Sequence, residues 1–314
     1  MQAKTMYDKV KFILPTTADT HGVVRHLEGC KQQNDMETGE TCVFGGFGGM
    51  KITVSICGIT IIGSLAKFYY PSNVWALDRR NTALAVEKLA DGLHVPMDYA
   101  RVVALEFGDT FVMRLPVGQY LPRFGDMPRM ERLPVTAGSL YYQTRGRQHI
   151  KSFVFYDKGA DAAAKGLAIP PGLADANLLR YEMRYHSRLA RQLGMPVVTA
   201  ADLSELGFYS RMARLYKDSY FSIRKQTKTQ ISMEGIDTVK GAFEAFAGYA
   251  IAQLPPDKVT GFVEEVKAAN RFTHKSDYTR LKKKLQDAAA KGEALPDELV
   301  REMDEAIINA TAYV

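Results

Sequence analysis

Arg180-Tyr-Glu-Met-Arg-Tyr-His186, which follows Leu178 and Leu179, alternates from end to end. Its even positions are Arg180, Glu182, Arg184 and His186, and the odd positions between them are Tyr181, Met183 and Tyr185. A period of two places every polar group on one face of a strand and every apolar group on the other. The sheet containing it therefore buries one face, under helices, and turns the other to solvent or a ligand. Two arginines, a glutamate and a histidine within seven residues exceed what a wet surface requires. The competing reading is a solvated strand with cross-strand ion pairs.

Further strands are expected on both sides of this one. Lys9 to Leu14 is a short β-prone run stopped by Pro15, and Lys51–Cys57 and Ile59–Ser64 flank Gly58 as a hairpin. Arg101–Met113, Ser139–Thr144 and His149–Tyr156 read as strands, while 81–93 carries helical spacing with a start near Asp78 and a stop at Pro96. From about Thr199 onward only 3.6-residue patterns remain, near 207–226, 235–253, 257–269, 275–291 and 296–311, with prolines at 255, 256 and 296 marking boundaries. The expected fold class is α+β, an antiparallel sheet with helices on one face over residues 1–198, followed by an all-helical C-terminal domain over 199–314.

Composition narrows the function classes. The 314 residues are 46% hydrophobic and 24% charged, which fits a globular chain and excludes fibrous and disordered ones. The longest uncharged run, Ile52 to Ala66, is interrupted by Ser, Thr and Gly, so no membrane span and no membrane partner are expected. Three cysteines in no metal-ligand spacing, and a start without an apolar leader, point to a cytoplasmic protein. The net charge of +6 is not spread evenly. Residues 1–100 carry 10 basic and 10 acidic side chains and 201–314 carry 17 of each, so 101–200, with 14 and 8, holds the whole excess.

The chemistry-bearing candidates lie in that middle segment. Gly45-Gly-Phe-Gly-Gly49 lacks the Gly-Lys-Ser/Thr ending of a phosphate-binding loop and leads into a strand, so it reads as a turn or bulge. The six histidines show no paired metal spacing, and no Cys-x-x-Cys occurs. Glu106 interrupts an apolar run, with Asp109 three residues on, and Glu182 lies on the polar face described above. Two or three such carboxylates on one sheet face would suit Mg²⁺ or Mn²⁺, hard ions that prefer oxygen. The alternative for Glu106 is an ion pair with an arginine of a neighbouring strand. Tyr156 ends a strand beside Lys158, where a tyrosine with a metal nearby could accept a phosphoryl group. His186 is a candidate base, and Arg145, Arg147, Lys151, Arg180 and Arg184 are candidate phosphate contacts. Arg211, Arg214, Lys282 and Lys283 lie in two basic helical segments that could lie along DNA.

Taken together, the strands resemble the gene II/X-type replication initiators of filamentous phages and plasmids. The resemblance runs over residues 8–200: Lys51 to Tyr70, Thr82 to His94, Val102 to Phe111, Phe153-Val-Phe-Tyr-Asp-Lys158, and Leu179-Arg-Tyr-Glu-Met-Arg184 followed by Arg188 to Leu193. It implies a rolling-circle initiator nuclease-like fold and a nicking–closing enzyme acting in a bacterial host cell. Such an enzyme cuts one origin strand, keeps the 5′ end on a tyrosine, and leaves a 3′-hydroxyl for the host's polymerase and helicase. By position, Tyr156 would be the nucleophile, and Glu106 and Glu182 would hold the metal. The chain departs from the family with Glu106 in place of an aspartate and Ala104 in place of an arginine. A non-catalytic, sequence-specific DNA-binding replication regulator of the same fold is the rival reading. An RNA-binding sheet is a third, and it predicts exposed aromatics at the sheet centre.

Overall fold

The computed structural model describes residues 6–15, 20–34, 39–70, 73–74, 77–146, 149–225, 227–229, 236–252, 254, 256–291 and 294–312. In chain order its elements are β1 (Met6–Leu14), α1 (Thr20–Val24), β2 (Glu28–Asn34), β3 (Thr41–Phe47), β4 (Met50–Ser55), β5 (Gly58–Ser64), α2 (Leu65–Tyr69), α3 (Arg79–Leu93), β6 (Arg101–Met113), β7 (Met130–Arg132), β8 (Ser139–Thr144), β9 (Lys151–Asp157), α4 (Lys158–Ala164) and β10 (Asn177–Tyr185). There follow α5 (Leu189–Leu193), α6 (Leu206–Ser222), β11 (Thr227–Thr229), α7 (Val239–Ala252), α8 (Pro256–Ala268), α9 (Lys275–Lys291), β12 (Ala294–Pro296) and α10 (Glu298–Thr311).

Ten strands form one antiparallel sheet in the order β2-β3-β4-β5-β1-β6-β10-β9-β8-β7. The architecture is thus α+β, with a large antiparallel sheet and helices at the C-terminal end. β10 lies between β6 and β9, paired with both over most of its length, which makes the strand read first one of the central strands. Its odd positions are core. Tyr181 stacks on Phe155 at 4.4 Å, and Tyr216 and Tyr220 of α6 pack over Tyr181 at 4.5 and 5.9 Å. Phe107 and Tyr7 continue the same layer against Tyr209. α6 buries Phe208, Tyr209, Met212, Ala213, Tyr216 and Tyr220, an i, i+4 stripe that covers this face of the sheet. Asp78 caps α3 by accepting from the Asn81 amide, so the helix begins where the sequence signal places it.

Several features differ from the sequence reading, among them a short antiparallel pair, β11 with β12, inside the region 199–314 that was expected to be all helical. The glycine-rich stretch is mostly strand: Phe44 to Phe47 lies in β3, and only Gly48 and Gly49, with φ of 54° and 83°, form the turn into β4. β2 was not foreseen, because its sequence Glu-Gly-Cys-Lys-Gln-Gln-Asn is polar and exposed throughout, with no alternation to detect. The compact units also divide elsewhere than at residue 198. Met1–Arg224 with Glu302–Val314 form one unit, and Lys225–Arg301 form the other. α6 belongs to the first unit because its aromatic stripe completes the sheet's core, although its helical periodicity alone resembles that of the helices after it.

Candidate metal and tyrosine site

Cross-strand register builds the site on the polar face. β10 pairs with β6 so that Arg184 lies opposite Glu106 and Arg180 opposite Thr110, and with β9 so that Arg180 lies opposite Tyr156. β1 completes it through a bulge. Tyr7 pairs with Phe107 and Val10 with Leu105, leaving both Asp8 and Lys9 against Glu106. A regular strand would offer only one residue there. The bulge turns Asp8 inward, and carboxylate oxygens of Asp8, Glu106 and Glu182 come within 4.8 Å of one another.

Two guanidiniums hold this cluster together. Arg180, fully buried, donates from Nη2 to Asp8 Oδ2 at 2.9 Å, from Nε to Glu182 Oε1, and from Nη1 to the Asn73 carbonyl at 3.1 Å. Arg184 donates to Glu182 Oε2 from Nη2 at 2.6 Å and from Nε at 2.8 Å. Asp8 also accepts from Ser64 Oγ and from Asn73 Nδ2, the latter at 2.7 Å. Burial alone would raise the Glu182 pKa, but Arg180 and Arg184 overcome it and hold the carboxyl down at about 2. Glu106 differs. Its nearest cation is Arg184 Nε at 3.7 Å, and burial, reinforced by Glu182 and Asp8, pushes it up to about 7. The ion pair read as the alternative for Glu106 is thus present, but long.

The Tyr156 hydroxyl donates to Glu182 Oε1 at 3.0 Å, so Tyr156, Glu182 and Glu106 do converge on one face. Burial raises the Tyr156 pKa above that of a free tyrosine. The donor set fits a divalent cation in kind: it is all carboxylate oxygen, and Glu106 has no hydrogen bond among the described residues. With Glu106 ionised, three carboxylates against two guanidiniums leave one net negative charge for such an ion to meet.

Other expected site residues are placed differently. Asp109 lies on the opposite face, because an odd offset from Glu106 along β6 reverses the side chain. It is buried with Oδ2 unpartnered, Oδ1 accepting from the Thr110 amide at 2.7 Å, and it cannot join the cluster. Lys151 is likewise on the core face, its ammonium 4.8 Å from the Phe153 ring and 4.6 Å from the Tyr185 ring. Lys158 is buried and donates to Asn73 Oδ1 and Asp161, with its ammonium over the Tyr156 ring at 5.8 Å rather than at the hydroxyl. His186 bonds Ser152 Oγ at 2.7 Å, and Ser152 is four residues from Tyr156 along β9, about 13 Å of strand. It is therefore not the base for Tyr156. Arg180 and Arg184 are engaged by the carboxylates and are not the exposed phosphate contacts expected of them.

The remaining cations are dispersed. Arg145 is exposed after β8, Arg211 and Arg214 are exposed on α6 beneath the other face, and Lys282 and Lys283 are exposed on α9 of the second unit. Arg147 lies outside the described residues. The stacked aromatic side chains at the sheet centre face α6, whereas the polar face carries carboxylates at its centre, with the half-buried Tyr156 on the neighbouring β9 and Tyr141 one strand further out. The RNA-binding reading expected the reverse.

Sequence reasoning missed Asp8 and Asn73. Asp8 had a signal, a charge at the mouth of a β-prone run, but the bulge that aims it leaves no mark on periodicity. Asn73, between α2 and α3, bridges Asp8 to Lys158, and nothing in its neighbourhood announces that. No family model matches the chain, and no curated protein matches it. Among the described residues, no helix is long and apolar enough to cross a membrane.

Proposed function

We propose that this protein is a metal-dependent, tyrosine-nucleophile DNA nicking–closing enzyme of the rolling-circle initiator kind, working on origin DNA in the cytoplasm of a bacterial host alongside the host's helicase and polymerase. The observation that carries this reading is the Tyr156 hydroxyl hydrogen-bonded at 3.0 Å to Glu182, itself one of three converging carboxylates. Asp8, Glu106 and Glu182 would hold Mg²⁺ or Mn²⁺, which would neutralise charge on the non-bridging oxygens of the scissile phosphate. Tyr156 Oη attacks phosphorus, the bond to the 3′ oxygen breaks, and that oxygen leaves as the 3′-hydroxyl, taking from water a proton that replaces the one Oη gives up. The phosphotyrosine conserves the bond's free energy, so closure runs by the reverse attack without ATP. The hydroxyl is hydrogen-bonded to Glu182, which orients Oη; the buried arginines hold that carboxyl down at about 2 and make it a weak base, so the proton passes on to water as Oη attacks. Burial is the larger effect and raises the Tyr156 pKa; the positive charge of Arg180 and Arg184 opposes it and favours the phenolate.

A second reading has its own support. Arg180 and Arg184 already compensate most of the carboxylate charge, as expected of a DNA-binding replication regulator that keeps the sheet without the chemistry. Incubation with supercoiled or single-stranded DNA carrying the origin, plus Mg²⁺ or Mn²⁺, separates the two. Nicked product and a covalent adduct are expected from wild type, and none from Tyr156→Phe. An adduct formed equally by the variant, or no adduct from wild type, removes the nicking reading.

A further inference from the structure

With Arg180 and Arg184 bound to carboxylates and Lys151 on the core face, the cations that remain beside the site are two that the strand periodicity did not single out. Lys9 and Lys11 of β1 line a cleft of about 200 Å³ together with Ala104, Glu106 and His186. Lys9 is the second residue of the bulge and is exposed, while Lys11 lies opposite Ala104. Neither lysine closes an ion pair among the described residues. Glu106 is a wall of this cleft and also a member of the carboxylate triad, so the two spaces adjoin. It is also the triad's accessible member, with a side chain 19% exposed against 5% for Asp8 and 2% for Glu182.

We propose that this cleft is a phosphate subsite for a single DNA strand, in which Lys9 and Lys11 grip the phosphodiester adjoining the one at the triad. Its volume is below the range of about 300–1,000 Å³ of pockets that enclose whole small molecules, and suits a phosphate with its sugar rather than a base. The triad is recessed behind Glu106. A flexible single strand can descend to it, whereas a duplex holds its phosphates at the rim. Lysine, a compact point charge, suits non-specific backbone contact. The inference rests on the nicking reading for the identity of the strand, but binding can be measured without chemistry.

The test is fluorescence anisotropy of a labelled single-stranded DNA of mixed sequence, titrated with full-length protein in EDTA over a range of salt. Lys9→Ala with Lys11→Ala is expected to weaken binding roughly tenfold and to reduce the salt slope by about 0.7, the release of counterions from one phosphate. Lys9→Arg with Lys11→Arg should bind as wild type, and Lys31→Ala, at an exposed lysine of the edge strand β2, should leave the slope unchanged. Unchanged unfolding midpoints establish that the Ala variant is folded; should it unfold, Lys9→Gln with Lys11→Gln takes its place under the same expectations. Binding by the folded neutral variant within twofold of wild type, at the same slope, overturns the subsite. So does a lysine effect confined to duplex DNA. Nicking by wild type with unaffected binding would sink the subsite alone, and a lysine effect without any nicking would sink the enzymatic reading alone.

Discussion

Asp109 shows what one residue's direction decides. It was expected beside Glu106 and instead faces the core, buried, with burial pushing its carboxyl up to about 8. An acid whose folded pKa exceeds its unfolded value of about 3.9 binds its proton more tightly in the native state. Its contribution to stability is therefore full below about pH 4, falls as pH rises, and is lost beyond about pH 8. Asp109→Asn keeps an acceptor for the Thr110 amide and cannot ionise. Urea unfolding of both proteins should show the variant gaining on wild type, by an amount on the order of several kcal/mol, between pH 4 and pH 8. A constant difference across that range would mean the carboxyl is not held protonated. At this scale the sequence was legible in different ways: Glu182 through alternation, Glu106 as a charge interrupting an apolar run, and Tyr156 as a strand end singled out by the family resemblance. It was illegible where the backbone departs from alternation, at the bulge of Asp8, or where a connecting segment supplies the contact, as at Asn73.

At the scale of elements, the site depends on how closely β6 and β10 approach at Gly108. That residue pairs with Glu182, and a Cβ there would lie 2.4 Å from the Tyr181 carbonyl oxygen and 2.8 Å from Glu182 Cγ. Strand backbone cannot yield as a flexible side-chain end can. Gly108→Ala should therefore cost about 1–3 kcal/mol in thermal unfolding and displace Glu182 from Asp8 and Glu106. Weakened Mn²⁺ binding, measured by electron paramagnetic resonance, is the expected companion; undiminished binding would mean that Glu182 is not a ligand. Most strands and helices were readable from local composition and period: β6 over Arg101–Met113 as a β-branched, mostly apolar run, and β8 over Ser139–Thr144. Gly58 was readable as a hairpin point for a steric reason, since its φ of 136° favours glycine.

Across the whole molecule, charge and chain order told less than they promised. The excess of positive charge does fall in residues 101–200, yet Arg180 and Arg184 from that segment are internal counterions, and Lys158 is buried. The division into two units was hidden because the long helices after residue 199 share one periodicity, while α6 and most of α10, from Glu302 on, belong with the sheet. In the latter, Glu302 accepts from the Tyr120 hydroxyl at 2.6 Å and Asp304 from the Tyr220 hydroxyl at 2.7 Å. Ile307 is wholly buried in this part of α10. Ile307→Ala should destabilise the sheet unit by about 2–5 kcal/mol. Hydrogen exchange should then quicken in β9 and β10 while amides of α7 and α9 keep their protection. Equal loss in both would show that the two units unfold as one.

The return of the chain at Glu302 has a consequence for synthesis. The 77 residues of Lys225–Arg301 are translated between α6 and the helix turn that supplies acceptors to Tyr120 and Tyr220. At about 5–20 residues per second that interval lasts roughly 4–15 s. Through it, the nascent sheet waits on the ribosome with both hydroxyls lacking these acceptors. The inserted helices can mature first, and the half bearing Tyr156 is the last to close.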